Sequence, residues 1–188
     1  MKIEPVDRQG TFTGTRVSLR PVEDGDAQLI SRFANDQRVA HMTTNLPFPM
    51  SDKVAHEFIE DALAPARERD VWVIDGSISQ QAPFLGLMTL DDLDRGQSEV
   101  GYWVAPDFWN RGYASEALAT LIAANPHANA SIVAAVFQDN PASARVLAAN
   151  GFMHLGAAEA YCPSRGCHVP SWTYLLNLAE TAVVRKSA

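Results

Sequence analysis

One stretch of the chain, residues 99–118 (EVGYWVAPDFWNRGYASEAL), constrains the fold more than any other. Its start belongs to a strand predicted over 98–105, which stops at Pro106 because proline cannot donate to a strand ladder. After a short loop and Gly112, small and aliphatic residues recur at helical spacing and predict a helix over 113–125. A strand that enters a helix through a glycine turn is typical of an α/β domain.

The other predicted elements extend this pattern. A strand over 17–22 precedes two helices, in 23–37 and 53–69, and the loop between them contains Pro47 and Pro49. Strands follow over 71–75, 84–93 and 98–105, and after the helix at 113 come a strand over 130–137, a helix that ends at Gly151, and strands near 154–161 and 169–178. The run over 130–137 is continuously apolar, which predicts a strand buried on both faces.

This order predicts one α/β (α+β) domain spanning residues 1–188. We expect a mixed, mostly antiparallel twisted sheet of about seven strands, with helices on both faces. Residues 1–14 are expected to form a peripheral leader and residues 179–188 a peripheral tail.

Charge and cysteine content narrow the possible partners and location. The chain of 188 residues has 22 acidic and 15 basic side chains, a net charge of −7, which disfavours nucleic acid and anionic membranes as main partners. No stretch approaches the ~18 apolar residues that span a membrane, and the N-terminus lacks a signal-peptide core. Cys162 and Cys167 do not have zinc-site spacing, so we expect free thiols, no metal site and a cytoplasmic protein.

The turn before the predicted helix at 113 has the features of a phosphate cradle. Backbone N–H groups at a helix start have no acceptor within the helix, and the helix dipole adds positive potential there. Gly112 lets a ligand approach the main chain closely, Ala114 keeps that approach open, and Arg111 adds a charge. Neither the P-loop spacing nor GxGxxG is present, so a nucleotide P-loop and a dinucleotide fingerprint are excluded.

A second stretch, residues 137–152 (FQDNPASARVLAANGF), leads from a strand into a helix. Pro141 suits the first helical position and Asn140 the N-cap, which is a purely structural explanation of both residues. The functional alternative is that Asn140 and Ser143 line a cleft where two strands diverge. The sequence leaves both explanations open.

Together the two stretches resemble the GNAT acetyltransferase superfamily, in particular its RimJ/RimL-like branch. The matching motifs are E-x-GYW-x, FWNRGYASEAL and NPAS-x-x-VL-x-x-NGF, and the resemblance covers about residues 15–178. It implies a sheet whose fourth and fifth strands run parallel and splay apart, with acetyl-CoA in the wedge. Trp109 and Asn110 depart from the usual phosphate-loop pattern, and Ala148 and Ala149 stand where the branch often has a basic residue.

The resemblance also implies a set of cofactor-binding residues and no metal. The phosphate loop and helix start would hold the pyrophosphate, the strand end would pair with the pantetheine arm, and two residues of the second stretch would face that arm. These residues are Trp103, Val104, Ala105, Trp109, Asn110, Arg111, Gly112, Tyr113, Ala114, Ser115, Asn140 and Ser143.

The implied chemistry is direct attack of an amine on the thioester, with no covalent enzyme intermediate. Glu99 is the candidate base, acting directly or through water, and its alternative is an exposed strand carboxylate. Ser143 is the candidate acid for the leaving thiolate, and its alternative is helix capping. Tyr161 is a weaker candidate donor. A backbone N–H near Val104 would stabilise the oxyanion.

Two classes of function follow. The first is an N-acetyltransferase that uses acetyl-CoA as acetyl donor and acts on a protein N-terminal α-amine or a small-molecule amine. The second is a non-catalytic acyl-CoA-binding regulatory module on the same fold. Transfer of a longer acyl chain is a variant of the first class, and a homodimer is expected in either case.

Overall fold

The computed structural model of the chain describes residues 9–44 and 46–178. Its strands are β1 (Phe12–Thr13), β2 (Ser18–Pro21), β3 (Arg69–Asp75), β4 (Gly86–Leu93), β5 (Gln97–Val104), β6 (Ser131–Phe137), β7 (Met153–Cys162) and β8 (Cys167–Asn177). Its helices are α1 (Ala27–Ala34), α2 (Gln37–Ala40), α3 (Asp52–Leu63), α4 (Tyr113–Ala124) and α5 (Pro141–Ala149). Short 3-10 turns lie at Asp24–Asp26, Ser77–Ser79 and Pro106–Phe108.

The eight strands form one sheet in the order β1-β2-β3-β4-β5-β6-β8-β7. All neighbours pair antiparallel except β5 and β6, which are parallel. The predicted mixed α/β sheet is therefore confirmed, with one more strand than expected. That strand, β1, lies within the predicted leader, while residues 1–8 and the predicted tail, 179–188, lie outside the described residues.

Two apolar layers hold helices against the sheet. One face packs on α4 and α5 through residues such as Leu118, Leu121 and Leu147, all fully buried. The other face packs on α1 and α3 through Ile30 and Ile59. The Ser51 hydroxyl caps α3 by accepting a hydrogen bond from the Val54 N–H at 3.2 Å, as its position before the helix predicts.

Strand β6 is buried unevenly on its two faces. Ile132, Ala134 and Val136 are buried on one face, whereas on the other face Phe137 is buried and Ala135 is exposed. The prediction that both faces are buried therefore holds only in part, because Ala135 lines the small cavity next to the strand. No helix among residues 9–44 and 46–178 is long and apolar enough to cross a membrane.

The parallel pairing of β5 and β6 is short. Only Gln97, Ser98 and Glu99 pair with β6, opposite residues 131–133. Both strands continue beyond this point, β5 to Val104 and β6 to Phe137, without pairing to each other. A gap between two neighbouring strands therefore opens above Glu99.

A buried polar network lies at the closed end of this gap. The His127 ring bridges the Ser98 hydroxyl, at 3.1 Å, and the Asp70 carboxylate, at 2.8 Å. Ser98 also donates to the Asn129 side-chain oxygen at 3.0 Å, and Arg67 pairs with Asp70. Burial alone opposes ionisation of Asp70, but the hydrogen bonds from His127 and Arg67 outweigh it and lower the pKa of that carboxyl. The network joins β5 to β3 and to the segment that precedes β6.

Gly86 allows β4 to approach β5 at the open end of the gap. A Cβ at this position would meet the Trp103 carbonyl oxygen and would lie 2.7 Å from the Val104 Cα. Both neighbours are main-chain atoms in a paired strand, so neither can move aside. We predict that Gly86→Ala lowers the free energy of unfolding by about 1–3 kcal/mol, as overpacking of a dense site does, measured by urea denaturation.

Gly25→Ala is the matched control, because a Cβ there meets nothing within 4 Å. Its free energy of unfolding should stay within about 0.5 kcal/mol of the wild-type value. Equal effects of the two substitutions would contradict the close approach of β4 to β5.

Candidate active site

The gap between β5 and β6 forms a deep cleft. This cleft has a volume of about 650 Å³ and extends from the start of α4 to the start of α5. A smaller cavity of about 60 Å³ continues from it toward the loop after α2. Six residues line both and so mark their junction: Met42, Thr43, Tyr102, Trp103, Asn140 and Ser143.

The start of α4 presents backbone amides to the cleft. Gly112 is the N-cap of this helix, with φ +80°, and Asn110 also has a left-handed backbone, with φ +59°. The amides of the first helical turn have no acceptor inside the helix and carry the positive end of its dipole. Gly112, Tyr113, Ala114 and Ser115 all line the cleft. The main chain here has the geometry of an anion cradle.

Arg16, in the bend between β1 and β2, holds this loop by hydrogen bonds. Its Nη1 donates to the Arg111 carbonyl oxygen at 3.0 Å, and its Nε donates to Glu116 of α4 at 2.7 Å. The guanidinium also lies over the Tyr113 ring, 5.2 Å from its centroid. Sequence reasoning missed Arg16 because it lies 95 residues from Arg111 in the chain, with no local signal.

Trp109 is hydrogen-bonded to the end of β5. Its indole Nε1 donates to the Val104 carbonyl oxygen at 2.6 Å, and the Arg38 guanidinium lies 5.7 Å from the ring centroid. The Ala105 N–H donates to the carbonyl oxygen of Leu85, the residue just before β4, and neighbouring residues of a strand direct their backbone groups to opposite sides. The Val104 N–H therefore points into the gap, as its carbonyl does.

The residue that caps the start of α5 also lines the cleft. The Asn140 side-chain oxygen accepts from the Ser143 N–H at 3.1 Å, so Asn140 is the N-cap and lines the cleft as well. The Ser143 hydroxyl lies 2.9 Å from the Tyr102 hydroxyl, and Tyr102 also lies 3.2 Å from the Ser143 carbonyl oxygen. Burial raises the pKa of Tyr102, so its phenol keeps its proton. Sequence reasoning missed Tyr102, although it lies inside the GYW motif.

Glu99 lies at the last paired rung of β5 and β6 and lines neither cavity. It is on the same face of β5 as Gly101, which lines the small cavity. Its cross-strand neighbour is Asp91, which pairs with Arg69 at 2.6 Å. Burial, and then the charge of Asp91, raise the pKa of Glu99, while Arg69 opposes the shift. Glu99 is thus a partly buried carboxylate next to the small cavity.

The structure brings together most of the cofactor-binding residues predicted from the sequence. All of them line the cleft except Ala105, which is fully buried, and Arg111, whose side chain is exposed. The Ser115 hydroxyl accepts a hydrogen bond from Asn150 at 3.0 Å, which links α4 to the end of α5. Tyr161 is exposed on β7 and lines neither cavity, so it is not placed as a proton donor.

Other residues of the cleft were not predicted. Arg38 and Arg145 line it, and Arg145 lies on α5 just before the two alanines, 148 and 149, that replace a basic residue of the branch. Thr43 lines the junction from the loop after α2. Within residues 9–44 and 46–178 there is no group of three or more His, Cys, Asp or Glu side chains that could hold a metal ion.

The profile of the acetyltransferase (GNAT) domain matches residues 16–153, more than half of the chain. The chain belongs to this family. The match spans the sheet from β2 through β6, together with α4 and α5, and so includes every element that lines the cleft. The predicted family and enzyme class are confirmed.

Individual relatives of this GNAT domain are distant. An uncharacterized N-acetyltransferase of Bacillus subtilis (strain 168), YoaA, is 27% identical over 155 residues, covering 80% of this chain and 87% of the relative. Mycobacterium smegmatis RimJ in complex with CoA-disulfide has a TM-score of 0.75 and 24% identity, with 91% of this chain and 87% of RimJ covered. Spermidine N-acetyltransferase from Vibrio cholerae, in complex with CoA and spermine, has a TM-score of 0.74 and 16% identity, with 87% and 96% covered. The predicted RimJ/RimL-like fold is confirmed.

The raised pKa of Glu99 predicts a gain of stability when its charge is removed. Folding favours the protonated carboxyl, so ionisation destabilises the native state once the pH rises through the raised pKa. We predict that Glu99→Gln raises the Tm of this GNAT domain at pH 7. The gain should disappear as the pH falls below 4.5, the ordinary value, where both states bind the proton.

Thermal unfolding followed by circular dichroism between pH 4 and pH 8 measures this effect. Glu159→Gln is the control, because Glu159 is exposed on β7 and its charge is solvated. A lower Tm for Glu99→Gln at pH 7 would show that the carboxylate stabilises the fold instead.

Proposed function

We propose that this GNAT domain transfers an acetyl group from acetyl-CoA to a primary amine by direct attack. The observation that carries the proposal is the junction of the two cavities, where a deep cleft with an anion cradle at one end meets a small cavity at the other. A donor with a phosphate end and a thioester end suits the cleft, and an amine suits the small cavity.

The residues of the cleft fit acetyl-CoA. The amides from Gly112 to Ser115 suit the pyrophosphate, and Arg145 adds positive charge at the cleft wall. Arg38 also lines the cleft, but its guanidinium pairs with Asp36 at 2.6 Å. The Val104 backbone suits the amides of the pantetheine arm, since its groups face the gap. RimJ and the spermidine enzyme, which share the fold, are described with CoA-disulfide and CoA respectively.

The acceptor is proposed to be an α-amino group, of a protein N-terminus or of a small molecule. The described side chains that line the small cavity are neutral, among them Thr43, Thr44 and Leu46, and none of them is a carboxylate. A polyamine carries additional ammonium groups, which need acidic partners to be held there. An α-amine has a pKa of about 7.7–8.0 and loses its proton more easily than a lysine at about 10.4.

The acceptor amine attacks the thioester carbonyl in its neutral form, and three groups of the chain assist. Glu99 takes the amine proton through a water molecule, because its carboxylate lies next to the small cavity and does not line it. The Val104 N–H stabilises the oxyanion. Ser143 donates to the leaving thiolate, and Tyr102, hydrogen-bonded to Ser143, supports it with a phenol that stays protonated.

The alternative function, a non-catalytic acyl-CoA-binding module, is less well supported. Such a module needs the cradle at α4 but has no use for a hydroxyl pair at the junction or for a destabilising buried carboxylate beside it. Membership of an acetyltransferase family also favours turnover.

A homodimer remains part of the proposal. Strand β7 is an edge of the sheet, ten residues long, and exposes Met153, Leu155 and Tyr161. Long apolar edge strands are commonly paired or covered. These features support association of two copies along β7.

Binding of acetyl-CoA tests the cradle. We predict that acetyl-CoA raises the Tm of the wild-type protein, because a ligand that binds the native state stabilises it. Gly112→Ala should weaken binding about tenfold, since a left-handed backbone costs an alanine about 1–2 kcal/mol and the loop would relax away from it. The added Cβ would also lie 3.3 Å from the Arg16 Nη2. Isothermal titration calorimetry gives the affinities.

Gly96→Ala is the matched control for backbone strain. Gly96 has φ +69°, close to that of Gly112, but lies in the turn between β4 and β5, away from the cleft. It should keep wild-type affinity for acetyl-CoA. Absence of any Tm shift at saturating acetyl-CoA in the wild type would contradict the proposed donor.

Release of the CoA thiol across a panel of amines tests the reaction. We predict turnover with peptides that have a free α-amine and little turnover with spermidine. Glu99→Gln and Ser143→Ala should each lower kcat about 10²-fold, the usual contribution of a general base or acid, with acetyl-CoA affinity retained. Glu99→Gln should also remove the limb of the pH–rate profile that rises from the acid side.

Glu159→Gln should leave kcat unchanged, because its side chain is exposed on edge strand β7 and lines neither cavity. Binding of acetyl-CoA without thiol release on any amine would favour the non-catalytic module. Wild-type kcat in Glu99→Gln would remove Glu99 from the mechanism and leave the donor site intact.

A further inference from the structure

The two cysteines of the chain lie opposite each other at the tip of the β7–β8 hairpin. Cys162 ends β7, Cys167 begins β8, and the two residues are cross-strand partners. The turn between them is tight, with the Gly166 N–H donating to the Cys162 carbonyl oxygen at 2.9 Å. Opposite residues of antiparallel strands have Cα atoms about 4.5–5.5 Å apart and side chains on one face. This separation lies within the range of about 4.4–6.8 Å found in disulfides.

The two thiols differ in their exposure to solvent. Both are free, but Cys167 is exposed and Cys162 is fully buried. The Cys162 Sγ lies 3.8 Å from the Ala40 carbonyl oxygen and 3.7 Å from that of His41. A dissolved oxidant therefore reaches Cys167 first, and the group nearest to an oxidised Cys167 across the hairpin is the Cys162 thiol.

The hairpin tip is attached to the walls of the active site. Arg165, in the turn, pairs with Asp139 at 2.7 Å and lies 3.6 Å from the Met42 Sδ. Asp139 and Met42 both line the cleft. Cys162 contacts the end of α2 and His41, the residues that lead directly into Met42 and Thr43 at the junction.

We propose that Cys162 and Cys167 form an oxidisable pair that closes to an intrachain disulfide with peroxides. The Cys167 thiol is oxidised by the peroxide to a sulfenic acid, which releases water when the oxidant is hydrogen peroxide. The Cys162 sulfur attacks that sulfenic sulfur, the S–S bond forms and a second water leaves. The two thiols together lose two electrons and two protons, and one peroxide is reduced to two waters.

Closure of the disulfide changes the acceptor side of the site. The Cys162 sulfur turns toward Cys167 and loses its contacts with the carbonyls of Ala40 and His41. Those contacts attach the hairpin to the segment that carries Met42 and Thr43. The donor cradle at α4 is built from a different part of the chain and stays intact.

Intact-mass analysis of the full chain after hydrogen peroxide treatment tests the pair. The wild type is expected to lose the mass of two hydrogens and both titratable thiols, and dithiothreitol should restore them. Cys167→Ser should keep its Cys162 thiol under the same treatment, because that thiol is buried. Oxygen uptake on Cys167 with Cys162 still reduced, or disulfide-linked dimers as the product, would overturn the proposal.

Kinetics test the effect on the site and rest on the proposed function. Oxidation of the wild type should raise the KM for the acceptor about fivefold, at the low end of typical coupling between sites, with the KM for acetyl-CoA unchanged. Peroxide should not change either KM in Cys167→Ser. An unchanged acceptor KM in the oxidised wild type would overturn the coupling. If the reduced protein acetylates no amine, the proposed function fails, while the mass analysis still decides whether the disulfide forms.

Discussion

The site depends on the early end of the parallel pairing between β5 and β6. Three rungs hold the strands together, and beyond Glu99 the two backbones diverge. A strand separated from its neighbour keeps backbone groups that need partners, and a bound molecule with amides can supply them. The divergence begins beside the Ser98–His127–Asp70 network, which fixes the closed end with charge-assisted and neutral hydrogen bonds. Both cavities exist because the strands separate there.

The sequence predicts the parts of the site that are local in the chain. The glycine turn before α4, the N-cap of α5 and the order of elements each arise within a few neighbouring residues, so composition and spacing reveal them. Arg16 and the Tyr102–Ser143 pair depend on contacts between residues 41 or more positions apart, which no local pattern contains. For the same reason the sequence alone does not show that Glu99 lies beside the small cavity without lining it, or that Ala135 of β6 is exposed.

The ionised form of Glu99 lowers the stability of the fold, although the proposed role as a base requires that form. Burial next to Asp91 makes its charged form costly, and Arg69 compensates only in part. A carboxylate that exists only to stabilise the fold would be expected to have a pKa below its usual range, as Asp70 does in the same sheet. The contrast between these two acids supports a functional explanation of Glu99, since perturbed acids next to cavities are frequent at active sites.

The cradle at α4 is made of main-chain amides, and this has a consequence for divergence among related chains. Amides are present whatever the side chain, so the phosphate end tolerates sequence drift as long as Gly112 or an equivalent turn remains. The small cavity is lined instead by side chains of the loop after α2 and of strands β5 and β6, where single substitutions alter the lining. Chains of this architecture can therefore change the small cavity by a few mutations while the main chain at the start of α4 keeps its form, which accords with a shared fold at 15–24% identity.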